Sequence, residues 1–118
     1  MSTRILVVDD DDAIRDFVRE ALEFEGYPVE TVSDGAEALA AIERERPSLM
    51  LLDMRMPVLD GWGVVEALRQ REIRLPVVVM TAAQDARRWA QEVGAAAHLA
   101  KPFEIDDLFG VVHRLRPA

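Results

Sequence analysis

The feature that most constrains this sequence is a regular alternation of short apolar runs with amphipathic segments. Each apolar run is followed by a segment whose apolar residues recur every three to four positions, the spacing of one helix face. Strands that alternate with helices form parallel sheets through right-handed crossovers. The pattern therefore predicts an α/β fold of five consecutive βα units. The five apolar runs occupy residues 5–8, 29–32, 49–52, 77–80 and 97–100.

The composition of the runs predicts their order in the sheet. The first, third and fourth are continuously apolar, as expected for strands covered on both faces. The second follows Pro28 and the fifth is rich in alanine, which favours edge positions. The predicted order is 2-1-3-4-5, a doubly wound, flavodoxin-like sheet with helices on both faces. Asp12 is predicted to cap the first helix.

Length and charge exclude several classes of protein. We expect residues 1–118 to form one domain, with no room for an effector domain in this chain. A formal net charge of -8 gives no electrostatic reason to bind nucleic acid or an anionic membrane. The absence of cysteine excludes disulfides and thiolate metal sites. No signal peptide or transmembrane stretch is evident, so a cytoplasmic chain is expected.

Acidic residues follow two of the predicted central strands. Asp9 and Asp10 come after the first strand and Asp53 ends the third. Neighbouring strands lie about 4.8 Å apart, so carboxylates at their ends approach to about 5 Å and repel by roughly 3 kcal/mol at an effective dielectric constant of ~20. Such a cluster requires a cation, and oxygen ligands with room for water favour Mg²⁺. Asp11 and Asp12 are interpreted as helix-capping charges rather than ligands.

The remaining strands end in groups that suit phosphoryl transfer. Thr81 follows the fourth strand and Lys101 follows the fifth, at the edge where ligands bind in doubly wound sheets. An ammonium and a hydroxyl can bind phosphoryl oxygens, and a carboxylate can act as the nucleophile. Asp53 is the natural nucleophile because it ends a central strand.

The sequence resembles the receiver domains of bacterial two-component response regulators over nearly its whole length. Several short motifs carry the resemblance, and they occur in the family's order along the chain. The matching segments are Ile5-Leu6-Val7-Val8-Asp9-Asp10-Asp11, Leu51-Leu52-Asp53-Met54-Arg55-Met56-Pro57, Asp60-Gly61, Met80-Thr81-Ala82, Gly94-Ala95 and Lys101-Pro102-Phe103.

The resemblance implies a phosphorylation-controlled switch, not an enzyme beyond weak self-phosphorylation and self-dephosphorylation. Asp53 would accept a phosphoryl group from a histidine kinase or phosphotransfer protein. Asp10, Asp53 and the backbone carbonyl of Arg55 would bind Mg²⁺ directly, and Asp9 would bind it through water.

The resemblance also implies how the phosphoryl group is held and how the signal leaves. Thr81 and Lys101 would bind the phosphoryl oxygens, and the Lys101–Pro102 peptide would be cis. The face formed by the fourth helix, fifth strand and fifth helix would change and contact a downstream effector. The same face would provide a possible homodimer contact.

Departures from the family pattern fall in the switch region. His98 stands where the family usually has a rotating Tyr or Phe, so it is either the switch residue or an ordinary edge-strand residue. The stretch from Thr81 to Lys101 is about two residues shorter than usual, a loss placed before the fourth helix. Ala83 offers no polar group to position an attacking water, which predicts slow self-dephosphorylation.

Other functions remain as alternatives. A Mg²⁺-dependent phosphatase would need a second acid where Arg55 stands. A pseudo-receiver that only binds partners is disfavoured by the complete set of pocket residues. Flavin binding is disfavoured because four consecutive aspartates would repel the cofactor's phosphate. Trp89 lies on the apolar stripe of the fourth helix and is predicted to be core, while Trp62 is predicted to pack near the start of the third helix.

Overall fold

The computed structural model of the protein describes residues 3–116 and contains a parallel five-stranded sheet between two layers of helices. Every apolar run of the sequence forms a strand, and every amphipathic segment forms a helix. The elements are β1 (Ile5–Val8), α1 (Asp12–Phe24), β2 (Val29–Val32), α2 (Gly35–Arg44), β3 (Leu49–Asp53), α3 (Gly61–Gln70), β4 (Val77–Ala82), α4 (Ala83–Val93), β5 (Ala97–Lys101) and α5 (Ile105–Leu115).

The strand order is β2-β1-β3-β4-β5, which confirms the predicted doubly wound fold. β2 and β5 are the edges, as their weaker apolar character indicated. β1 and β3 run in register, with Val8 opposite Leu52. Consequently Asp9, the next residue after β1, and Asp53, the last residue of β3, reach the same edge of the sheet side by side.

The two faces of the sheet are buried in separate clusters of apolar side chains. Along β1, Leu6 and Val8 face the cluster beneath α2, α3 and α4, whereas Ile5 and Val7 face the cluster beneath α1 and α5. This alternation follows from the two-residue period of a strand. Residues of β1 are almost fully buried, which explains why the run is apolar without interruption. Among residues 3–116, no helix is both long and apolar enough to cross a membrane.

The cap of α1 differs from the prediction by one residue. Asp11, not Asp12, is the N-cap, and its Oδ1 accepts hydrogen bonds from the backbone N–H groups of Ala13 (2.9 Å) and Ile14 (3.3 Å). Asp12 is instead the first residue of the helix, where its carboxylate pairs with Arg15. Either residue type suits a cap, so composition alone could not decide between adjacent aspartates.

β4 continues directly into α4. No residue separates Ala82, the end of the strand, from Ala83, the first residue of the helix. The connection is therefore short where the sequence indicated a loss of residues. Ala82 occupies the N-cap position, and no side chain within residues 3–116 caps this helix. Thr81 is thus not a cap but the penultimate residue of β4.

Candidate functional site

Three carboxylates converge at the C-terminal edge of the sheet. Asp9 is fully buried, Asp53 is 5% exposed, and Asp10 is exposed to solvent. Each offers an oxygen atom, and these three oxygens lie within 4.8 Å of one another. The convergence predicted from the strand ends is therefore confirmed. Exposed Asp10 leaves the cluster accessible from solvent.

Lys101 brings positive charge into the cluster from β5. Its Nζ lies 2.7 Å from Oδ2 of Asp9 and 3.6 Å from Oδ1 of Asp53. The Lys101–Pro102 peptide bond is cis, as the resemblance implied. Because the ammonium lies beside the Asp53 carboxylate, it is also close enough to bind an anionic group attached to Asp53.

Thr81 reaches the same edge from β4. Its predecessor Met80 is registered opposite Asp53, and Thr81 itself is registered opposite Ala100, the residue before Lys101. Thr81 is 4% exposed, so its hydroxyl belongs to the buried end of the strand. The four strand ends therefore deliver the carboxylates, the hydroxyl and the ammonium to one edge, although they are far apart in sequence.

Two hydrogen bonds fix Asp9 within the site. Its Oδ1 accepts a hydrogen bond from the backbone N–H of Asp11 at 2.9 Å. Its backbone carbonyl accepts one from Nη1 of Arg15 at 2.7 Å. These contacts and the ion pair with Lys101 constrain both the side chain and the backbone of Asp9. Asp9 is thereby held as a fixed charge, whereas Asp10 is free to face solvent.

The environment raises the pKa of Asp53 to about 6. Burial of the carboxyl group is the largest cause, and repulsion by Asp9 adds to it. The nearby Lys101 and a hydrogen bond from the backbone N–H of Arg55 act in the opposite direction without cancelling the rise. The ionised form of Asp53 is therefore disfavoured in the folded protein, chiefly because the carboxyl group is buried.

The donor set fits Mg²⁺. Three carboxylates and no sulfur or imidazole ligand provide the hard oxygen donors that this ion prefers. Three negative charges beside one ammonium leave an excess that a divalent cation would balance. Few protein oxygens converge, which leaves coordination positions for water and for a phosphoryl oxygen.

His98, Trp89 and Arg55 are not members of the acidic cluster. The side chain of His98 is exposed on the edge strand β5. Trp89 is 6% exposed, which confirms its predicted place in the core. The side chain of Arg55 lies over the indole of Trp89, with its guanidinium carbon 5.1 Å from the ring centroid. Sequence reasoning missed this contact, because no periodicity indicates which side chain of a loop meets which helix.

Comparison with known proteins identifies the family. The family model described as "Response regulator receiver domain" matches residues 5–113. The chain therefore belongs to the receiver-domain family of response regulators, whose members act as signalling switches rather than as true enzymes.

Individual relatives agree with this assignment. The chain is 44% identical over 117 residues to the response regulator MprA of Mycobacterium ulcerans, covering 98% of this chain and 50% of that protein. The MprA of Mycobacterium tuberculosis strain H37Rv is also 44% identical, with 98% and 51% coverage. The chain thus spans about half the length of the curated relatives it matches.

Solved structures show the same architecture. The chemotaxis protein CheY4 of Vibrio cholerae is similar with a TM-score of 0.87 and 33% identity, covering 98% of this chain and 99% of the other. The receiver domain of the sensor histidine kinase PA1611 from Pseudomonas aeruginosa gives a TM-score of 0.87 and 32% identity, with 98% coverage of both chains. That structure has a magnesium ion coordinated in its active-site cleft.

Proposed function

We propose that this chain is a phosphorylation-controlled switch in which Asp53 accepts a phosphoryl group from a phosphohistidine of a histidine kinase or phosphotransfer protein. The observation that carries the proposal is the position of Asp53, whose buried carboxyl group lies among Asp9, Asp10 and Lys101. Membership of the receiver-domain family supports it.

The reaction follows from the groups at this edge. A carboxylate oxygen of Asp53 forms a bond to phosphorus as the phosphorus–nitrogen bond of the donor breaks, and the electron pair of that bond stays on the imidazole nitrogen. The ammonium of Lys101 and the hydroxyl of Thr81 bind the oxygens of the transferred group. Asp9 keeps Lys101 in position through their ion pair.

We also propose that Asp10, Asp53 and the backbone carbonyl of Arg55 bind Mg²⁺ directly, with Asp9 acting through water. The acidic cluster and the magnesium ion of the PA1611 receiver structure support this assignment. When bound, Mg²⁺ offsets the charge on the carboxylates and on the incoming phosphoryl oxygens.

The signal then leaves through the face formed by α4, β5 and α5. We propose that phosphorylation changes this face, that a downstream effector protein or domain reads it, and that it can support a homodimer. His98 lies on it and is exposed, as expected for a residue able to change orientation. The proposal places a single receiver domain at residues 1–118 in the cytoplasm, with slow self-dephosphorylation and no direct binding of nucleic acid or membrane.

Phosphorylation with a small donor tests the proposal. The protein is mixed with Mg²⁺ and acetyl phosphate, and its intact mass is measured. We expect the mass of one added phosphoryl group, its loss in Asp53→Asn and in the presence of EDTA, and its retention in Asp11→Asn. Asp11→Asn is the matched control because it changes a neighbouring aspartate while keeping a residue that caps α1.

Two other outcomes of this experiment would indicate a different function. Turnover of many phosphate equivalents on simple esters would indicate a phosphatase. No adduct from acetyl phosphate or from any kinase would indicate a pseudo-receiver that works only by binding.

A further inference from the structure

Arg55 contacts the phosphoacceptor site and α4 at the same time. Its backbone N–H lies close enough to the Asp53 carboxylate to act against the rise in the pKa of that group. Its guanidinium carbon lies 5.1 Å from the centroid of the Trp89 ring, within the range of a cation–π interaction. One residue of the loop after β3 thus touches the reacting group with its backbone and the neighbouring helix with its side chain.

Trp89 is a fixed partner for this contact. Its ring packs edge-on against Trp62 of α3, with centroids 4.8 Å apart and planes at 67°. The Nε1–H of Trp62 donates to Oε1 of Glu92 in α4 at 3.2 Å, which ties the two helices together. Trp89 is 6% exposed, so it cannot readily follow a movement of the loop unless α4 moves too.

A second arginine, Arg88, also lies over the ring of Trp89 and can be compared with Arg55. The guanidinium carbon of Arg88 is 5.9 Å from the Trp89 centroid, but Arg88 belongs to α4 and pairs there with Asp85. Arg88 therefore moves with the ring it contacts. Arg55 alone of these two connects the ring to the loop that follows Asp53.

We propose that Arg55 is a positioning residue whose stacking on Trp89 couples occupancy of the Asp53 site to the packing of α4. A cation held by the Asp53 carboxylate and the carbonyl of Arg55 would displace the backbone of this loop. Because the guanidinium is attached to that backbone, the shift changes its placement over Trp89. This coupling reaches α4 without using His98, whose side chain is exposed on β5.

The inference rests on the metal site of the proposed function, and its size can be bounded. A solvent-accessible cation–π contact corresponds to a change of about two- to fivefold in an equilibrium constant. Loss of the Arg55 guanidinium should therefore change the Mg²⁺ dissociation constant by no more than about that factor. It should also abolish the response of Trp89 to Mg²⁺ binding.

Tryptophan fluorescence tests the coupling. Trp62→Phe makes Trp89 the sole tryptophan, since the chain has two. In this background Mg²⁺ is titrated while Trp89 emission and, separately, the calorimetric dissociation constant are measured. We expect emission to change with a midpoint equal to the calorimetric constant. Arg55→Met should remove the emission change while altering the dissociation constant by no more than about fivefold, whereas Arg55→Lys should retain part of the emission change.

Arg88→Met is the matched control, because it removes a cation from the same ring without altering the loop. It should leave the Mg²⁺-dependent emission change and the dissociation constant intact. The inference is overturned if Arg55→Met responds like its parent, or if Arg88→Met loses the response equally. Mg²⁺ binding without any response of Trp89 in the parent overturns the coupling alone, and a parent that binds no Mg²⁺ overturns the metal site as well.

Discussion

A buried charged residue lies at each end of β1, and the two ends differ in how well neighbouring residues of opposite charge balance them. Arg4 precedes the strand and is 8% exposed, while Asp9 follows it and is fully buried. Arg4 pairs with Glu30 and with Glu45, and its guanidinium also donates to the backbone carbonyl of Glu45. Two carboxylates thus face this one guanidinium, and Arg44 adds a second cation through Glu30.

The opposite end lacks that balance. Asp9, Asp10 and Asp53 converge there, and within residues 3–116 the ammonium of Lys101 contacts Asp9 and Asp53. The pKa of Asp53 is raised to about 6, chiefly because its carboxyl group is buried and also because Asp9 repels its charge. The difference teaches that a balanced buried charge stabilises the fold, whereas an unbalanced cluster keeps a site ready for a cation and an anionic group. Three predictions test this contrast, and a fourth concerns backbone strain in the loop before α3.

The largest effect is expected at the balanced end. Arg4→Met removes a buried guanidinium from Glu30 and from the backbone carbonyl of Glu45, and should lower the free energy of unfolding by about 2–3 kcal/mol. Urea denaturation at pH 7 measures it. Arg74→Met, at an exposed arginine, is the control and should change stability by less than about 0.5 kcal/mol. Equal effects at the two positions would contradict the structural role of Arg4.

The unbalanced end should respond with the opposite sign. Asp53→Asn removes a carboxyl group whose pKa rises from 3.8 to about 6, a difference of about two units or roughly 3 kcal/mol. Because an amide still bears part of the burial cost, we expect Asp53→Asn to raise the free energy of unfolding by roughly 2 kcal/mol at pH 7.5 in EDTA.

The pH dependence of the free energy of unfolding tests whether ionisation of Asp53 causes this gain. A carboxyl group with a raised pKa penalises the folded state once it ionises, so wild-type stability falls as pH rises from near 4 through about 6. The advantage of Asp53→Asn should therefore vanish near pH 4 and be complete at pH 7.5. Thermal unfolding at both pH values measures it, and a variant less stable than wild type at pH 7.5 would refute the charge excess.

Mg²⁺ binding should weaken in acid, because protons compete for Asp53. With a pKa of about 6, the ionised fraction falls about tenfold between pH 7 and pH 5. The calorimetric dissociation constant should rise by about the same factor. A constant that is equal at the two pH values would show that Asp53 is not a ligand or is ionised throughout.

The smallest effect concerns backbone strain near the site. Val58 has φ 71° and is 79% exposed, so its side chain gains little packing in a conformation that β-branched residues avoid. Val58→Asn should raise the free energy of unfolding by about 1 kcal/mol. Glu72, with φ 55° at the opposite end of α3, is the comparison. Glu72→Asn should gain less, since glutamate is not β-branched, and a larger gain there would contradict the argument.

The sequence predicted the sheet and the convergence of its site because both follow from periodicity. Continuous apolar runs specify central strands, and parallel strands in register bring the residue after each one to the same edge. The same argument places Asp9, Asp53, Thr81 and Lys101 at one edge of the sheet from their sequence positions alone.

Contacts between side chains of different elements could not be predicted in the same way. The pairing of Arg4 with Glu30 and the stacking of Arg55 on Trp89 depend on how a loop or chain end lies against its neighbour. From the sequence alone, an arginine is expected to be a solvated charge, because its partners are not known. The prediction of Asp12 rather than Asp11 as the cap of α1 was wrong for a related reason, because adjacent residues of one type differ only in backbone geometry.

A crystal structure of the protein with Mg²⁺ and beryllofluoride, a mimic of the phosphoryl group, tests the central claim most directly. We predict an ion bound by Asp10, Asp53 and the carbonyl of Arg55, with beryllofluoride on Asp53 and within hydrogen-bonding distance of Thr81 and Lys101. Strand ends that lie apart, with neither ion nor beryllofluoride between them, would contradict the account.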